Sequence, residues 1–151
     1  AAALAARMIT EDELKELAAA LRDLEAEGVE DISSSGADRR FHKIIAVATH
    51  NRVIMKQIEY LWDIQENIDY IHHAHQSVCA ADASTRIADH TAIYDAIAAG
   101  NASDARRAMR SHFSDLLEAM HDASEREAVE ETRRKAAQLR ERFSIGEVVN
   151  F

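Results

Sequence analysis

The amino-acid sequence predicts an all-α protein, an antiparallel helical bundle, on three observations. Proline is absent and only four glycines occur in 151 residues, a shortage of breakers that favours long helices over many-turned sheets. Apolar residues make up 47% of the chain, too many for a disordered polymer, and they recur at steps of three and four. They are mostly Ala, Leu and Ile, with aromatics at 5%, a composition suited to close helix packing. The length fits one domain, 1–151, around one core.

The elements follow in order. Ala1 to Ala6 begin in mid-pattern without an initiator methionine, which reads as a fragment of a longer chain. Thr10-Glu11-Asp12-Glu13 has the form of a capping box. The helix it opens carries Leu14, Leu17, Leu21 and Leu24 and ends near Gly28. Ser33 to Gly36 reads as a loop or cap. A second helix carries Phe41, Ile44, Ile45 and Ala48 and breaks near His50-Asn51. One long helix is expected from about Val53 to about Cys79, with Ile54, Ile58, Leu61, Ile64 or Gln65, Ile68 and Ile71 as its buried stripe. Trp62 and Tyr60 lie beside that stripe. Asp82 or Ser84 restarts a helix with Ile87, Thr91, Tyr94 and Ile97, stopped by Gly100. Asn101 or Ser103 caps the next, with Ala105, Met109, His112, Phe113, Leu116 and Met120 along one side. Ser124-Glu125-Arg126-Glu127 has capping-box form again, which predicts a further charged helix over 124–143 with a thin seam of Val129, Ala136, Leu139 and Phe143. The tail 145–151 is too brief for a sheet.

Charge and composition exclude several roles. The formal charge is -9 and no basic stripe exists, so this chain by itself is a poor ligand for nucleic acid or anionic lipid. No apolar run reaches membrane-spanning length, and no signal peptide is present, so a cytoplasmic protein that does not enter membranes is expected. The single cysteine, Cys79, excludes an internal disulfide and reads as a small filler.

Asp38 and His42 stand four apart, hence on one helix face. His90 and His112 each sit in apolar register on later helices. Three helices therefore present inward-tending polar groups that a shared divalent metal would satisfy together. Three imidazoles and one carboxylate suit zinc best, with nickel, iron or manganese as alternatives; calcium would want more oxygens. Spacing alone equally allows three separate histidines, each with its own hydrogen bond. His72, His73 and His75 fan around their helix, at the surface or the mouth of a pocket, and one of them, His72 above all, could reach a ligand. Arg39 neighbours Asp38, and Arg86 lies one turn before His90. Either can clamp an anion beside a metal, and either can equally be a salt-bridged surface arginine. Asp89 reads as an orienter of a ligand histidine or an exposed acid; Asn67 and Tyr94 are further candidate pocket groups. His50 and His121 fall at helix ends, where the dipole explains them.

Four segments in order, Ala37-Asp38-Arg39-Arg40-Phe41-His42, Ala48-Thr49-His50-Asn51, Asp89-His90 through Gly100, and Ala105 through His112, resemble the FCD domain of FadR-type GntR transcription regulators. The resemblance runs to about Met120. It implies a bundle of six or seven helices that often forms a homodimer. It also implies a metal held by Asp38, His42, His90 and His112, and a small carboxylate metabolite bound next to it. DNA is then reached only through an N-terminal winged helix-turn-helix domain, which this chain lacks. Asp89 stands where many relatives have glutamate. The expected function is effector sensing for a transcription regulator, not enzymatic. The alternatives are a metal-dependent hydrolase, for which no general base is evident, and a dimerisation domain that its metal merely stabilises.

Overall fold

The Thr10 hydroxyl and the Glu13 carboxylate hold the start of the longest N-terminal helix reciprocally. The Thr10 N–H donates to Glu13 Oε2 at 2.9 Å, and the Glu13 N–H to Thr10 Oγ1 at 3.3 Å. This satisfies two donors that a helix start otherwise leaves open. In the computed structural model, which describes residues 1–30, 36–69, 71–75 and 83–143, no strand occurs among the described residues. The helices are α1 (Ala2–Met8), α2 (Glu11–Glu30), α3 (Gly36–Val47), α4 (Arg52–Asn67), α5 (described over 71–75), α6 (Ala83–Ala98) and α7 (Ala102–Phe143). The protein is all-α.

α2 packs on α3 and α6, α6 on α7, and α3 on α4. α1 lies against α7, α6 and α3 through its small faces Ala2, Ala5 and Ala6. The core is Leu17, Leu21 and Leu24 of α2, Phe41, Ile44 and Ile45 of α3, and Ile93 and Ile97 of α6. These are the three- and four-step positions of the sequence.

Two turns set the helix order. After α3, His50 adopts φ 50° and its Nε2 lies 3.0 Å from Glu13 Oε1. Asn51 then caps α4, accepting the Val53 N–H at 2.9 Å. After α6, Gly100 sits at φ 67°, with its N–H bonded to the Ile97 carbonyl and the Asn101 N–H to the Ala96 carbonyl, both 2.9 Å. That paired pattern is a glycine-terminated C-cap. Asn101 immediately caps α7 by accepting the Asp104 N–H at 3.1 Å, so α6 and α7 form a tight antiparallel hairpin.

Three expectations are corrected. The helix predicted from Val53 to Cys79 is interrupted: α4 ends at Asn67, and Ile68 is extended at φ -106°, ψ 101°. Asn67 Nδ2 donates to the Asp63 carbonyl at 2.6 Å, a local side-chain bond that competes with helix continuation. On α4 the buried side chain is Trp62, at 8% exposure, whereas Leu61 is 61% exposed. Ile54, Ile58, Ile64 and Gln65 are half-buried as predicted, so the departure is at Leu61, whose place on that face Trp62 takes. Third, no break occurs at Ser124; α7 runs unbroken for 42 residues, about 63 Å at 1.5 Å per residue. The stretch holds neither Gly nor Pro before Phe143, so a capping signature without a stop ahead of it starts nothing. The predicted loop at 33–35, Cys79 and the 145–151 tail lie outside the described residues.

Candidate metal centre

α3 begins just ahead of Asp38, and its four-residue step carries Asp38 and His42 onto one buried face with Phe41 and Ile45 beside them. The α6–α7 hairpin supplies the rest. His90 lies ten residues before Gly100 and His112 twelve after it, so antiparallel packing sets them side by side, ring centroids 4.6 Å apart. His42 stacks on His112 at 5.4 Å and meets His90 at 5.4 Å. One ring nitrogen from each of His42, His90 and His112 lies within 4.8 Å of the others, all three residues buried.

Asp38 joins this group from the α3 side. Its Oδ1 is 2.7 Å from His90 Nε2 and 3.5 Å from His42 Nε2. Burial alone would raise the Asp38 carboxyl, but the contacts with His42 and His90 hold it well below its ordinary 3.8. It is an anion in the core. His112 behaves oppositely: burial, with His90 and His42 adding to it, pushes its imidazole down to about 3, so it is a neutral donor.

The hydrogen bonding of His90 tests the fit of a metal to these residues. Its Nδ1 lies 2.7 Å from the Arg86 carbonyl, an acceptor only, so that nitrogen carries the proton. Its Nε2 faces a second acceptor, Asp38 Oδ1. The ring between them needs a cation on the Nε2 side, either a proton or a metal ion. A backbone carbonyl fixing one nitrogen so that the other can ligate is how metal-binding histidines are commonly oriented. The donor set therefore fits a divalent transition metal. Asp89 Oδ2 approaches His112 Nδ1 at 3.6 Å, beside the cluster rather than within it.

A cavity of about 490 Å³ opens on this cluster. Asp38, His42, His90 and His112 line it together with apolar residues of α4 and α7, among them Ile58, Leu61 and Phe113. Of the other sequence candidates, Arg86 lines it. Its Nε and Nη2 are buried and have no hydrogen-bond partner among the described residues. Arg39 faces a different, smaller cavity and pairs with Asp63 at 2.9 Å and with Glu66. One residue along a helix is about 100° around it, so adjacency to Asp38 in sequence turns Arg39 away. Asn67 is exposed and bonded to its own helix. Tyr94 is half-buried against the core, and His72 is half-buried with its ring 6.0 Å from His73. None of these three lines the cavity.

The sequence places His75 at the surface or the mouth of a pocket, and the structure puts it deeper than that. It is buried, lines the cavity, and sets its Nε2 3.7 Å from Asp38 Oδ2. The signal was obscured because the break at Ile68 resets the helical phase that had fanned the three histidines outward.

Comparison with known proteins gives the family. The FCD domain family matches residues 1–115. A putative L-lactate dehydrogenase operon regulatory protein of Escherichia coli (strain K12) is 36% identical over 83 residues, covering 54% of this chain and 31% of that protein. The Uxu operon regulator of Haemophilus influenzae is 32% identical over 90 residues, 59% of this chain and 34% of that protein. The chain thus spans about a third of the length of the curated relatives it matches. With the family match extending over more than half of its residues and all-helical packing around the histidine cluster, the chain belongs to the FCD domain family.

Proposed function

We propose that the chain is the effector-sensing domain of a bacterial transcription regulator of the FadR-type GntR class, that it holds a divalent transition metal, and that a small carboxylate metabolite binds beside the metal. The observation that carries this reading is Arg86: two buried guanidinium nitrogens without partners among the described residues, on the wall of the cavity that the imidazoles also line. Leaving such donors unsatisfied costs about 1–3 kcal/mol or more, and a ligand carboxylate relieves it by a charge-assisted contact. The names of the relatives, both operon regulators, support a regulatory role over a hydrolytic one.

Asp38, His42, His90 and His112 would hold the ion. When bound, it supplies positive, Lewis-acidic charge that offsets Asp38 and attracts an anion. Arg86 orients the carboxylate from the α6 side, while Ile58, Leu61 and Phe113 take the carbon skeleton and exclude water. A ligand held between α6, α3 and α7 shifts the domain toward whichever helix arrangement it binds better. In a homodimer that shift changes the spacing of the N-terminal winged helix-turn-helix domains, through which DNA is reached. Such a regulator works in the cytoplasm, and among the described residues no helix is long and apolar enough to cross a membrane.

The test is calorimetric titration with a panel of hydroxy acids, keto acids, dicarboxylates and sugar acids, on metal-loaded and chelator-treated protein. Saturable binding of one class, lost on chelation and changing operator affinity in the full-length regulator, is the expected result. Turnover of any panel member would reverse the ranking in favour of the hydrolase. Metal-dependent stability without binding of any acid would favour the dimerisation role.

A further inference from the structure

The wall of the large cavity is sorted by helix. Among the described residues, α6 contributes only polar side chains to it: Thr85, Arg86, Asp89 and His90. α4 contributes Ile58, Leu61 and Trp62, with Gln65 as its one polar group. Beyond His112, α7 adds Phe113, Leu116 and Ala119, with Asp115 among them. The cavity therefore has a polar head, where Arg86 and the imidazoles stand, and an apolar flank along α4 and the middle of α7. On that flank Leu61 is 61% and Phe113 45% exposed, large apolar side chains left open to water at a cost.

Charge is distributed just as unevenly. Arg86 is the one lysine or arginine on the described wall, whereas Asp38, Asp89 and Asp115 all line it. Arg39 and Lys43 face the smaller cavity instead. One ligand carboxylate thus finds a cation at the head. A second would meet either the apolar flank or a like-charged aspartate, and a buried charge without a partner is costly. Hydroxyl groups laid along α4 would lose water and find only Gln65 in exchange. Size points the same way. The volume of about 490 Å³ equals roughly sixteen waters at about 30 Å³ each, so an acid of about six non-hydrogen atoms leaves most of it unfilled.

We infer that the effector is an amphipathic monocarboxylate, with a single carboxylate on Arg86 and a hydrocarbon body of roughly five to nine carbons along the α4 and α7 flank. Ile58, Leu61, Phe113 and Leu116 are the specificity-determining residues. The body covers Leu61 and Phe113, and each methylene moved there from water tightens binding roughly fourfold. Dicarboxylates and sugar acids are rejected, because their extra polar groups fall where the wall offers neither cation nor hydrogen-bond partner. This assignment rests on the acid-sensing reading of the same cavity and narrows it.

The experiment is calorimetric titration of the zinc-loaded chain with acetate, butyrate, hexanoate and octanoate. Adipate and gluconate complete the set, as acids of hexanoate's length that carry a second carboxylate or hydroxyls; heats of titration into zinc alone are subtracted. Affinity should rise roughly fourfold per methylene from butyrate to hexanoate. Hexanoate should bind more tightly than adipate or gluconate by roughly 10-fold or more. Leu61→Ser, at an exposed position that the fold does not depend on, should cut the gain from butyrate to hexanoate roughly twofold or more. An affinity flat across the chain lengths, or tighter binding of adipate or gluconate than of hexanoate, overturns the apolar body and leaves acid sensing standing. An unaltered gain in Leu61→Ser overturns its placement along α4. Binding of none of the six acids overturns the acid-sensing reading itself, and this assignment with it.

Discussion

Arg86 is the residue whose substitution separates ligand binding from folding. Its buried nitrogens make no hydrogen bond in the described structure, so Arg86→Met removes unsatisfied donors and leaves thermal stability unchanged or slightly raised. Carboxylate affinity, in contrast, should fall by roughly 10- to 100-fold, the equivalent of about 1.5–3 kcal/mol for a contact to a charged group. Equal affinity in both proteins by calorimetry would remove Arg86 from the site. Glu13 gives a prediction of opposite kind. Burial raises its carboxyl, but hydrogen bonds from Thr10 and His50 outweigh that and hold it below its ordinary 4.5. A carboxyl depressed in the folded state stabilises the fold above its unfolded pKa and loses that stabilisation as pH falls through the folded value. Glu13→Gln should therefore melt roughly 2–4 °C lower than wild type near neutral pH, for a cap worth about 1 kcal/mol. The difference should vanish in acid below 4.5, and a gap that persists there would mean the carboxylate charge is not what matters. Arg39 takes the salt-bridged alternative that its sequence left open, because neighbours on a helix point apart, whereas the four-residue step from Asp38 to His42 was legible at once.

Among the helices, α7 contains two different environments in one rod. Up to His112 it is packed against α6 and α1. From 124 to 143 every residue is exposed, Leu139 at 54% and Phe143 at 71%. Leu139→Ala should change unfolding free energy by no more than about 0.5 kcal/mol. Leu17→Ala, which empties a fully buried position on α2, should cost about 2–5 kcal/mol by chemical denaturation. Comparable losses at the two positions would show that the α7 seam is covered in solution. The α6–α7 hairpin depends on Gly100 at φ 67°, where an added Cβ would find room, with the Ala6 carbonyl at 3.6 Å. Gly100→Ala is therefore penalised by backbone conformation alone, about 1–2 kcal/mol. Helix starts were readable where a cap side chain follows a real stop, as at Thr10 and Asn101. At Ser124 the same letters sit inside a run of helix formers and specify nothing.

Taken together, the helices meet at a polar cluster in an apolar interior. The carboxylate of α3 and the imidazoles of α3, α5, α6 and α7 are contributed by segments far apart in the chain. A ligand that binds only this folded arrangement adds its binding free energy to the stability of the whole. Metal at about a hundred times its Kd should raise unfolding free energy by about 2.7 kcal/mol, or roughly 5–10 °C in melting temperature. Chelation should reverse it and readdition restore it. A melting temperature indifferent to both would leave the cluster without an ion.

Local rules were enough for much of this protein. Missing breakers, apolar steps of three and four, and cap residues set the helical class and most boundaries, because backbone hydrogen bonding within a helix is satisfied from nearby sequence. The same periodicity carried Asp38, His42, His90 and His112 to inward faces, and the turn at Gly100 sets two of them level. What the linear chain could not decide was anything that depends on where one helix lies against another. The burial of Trp62 and the approach of His75 to Asp38 follow from it. So does the separation of Arg39 from the cavity that Arg86 lines. A side chain's partner across the core is set by packing between helices, and no periodicity within one helix encodes that distance.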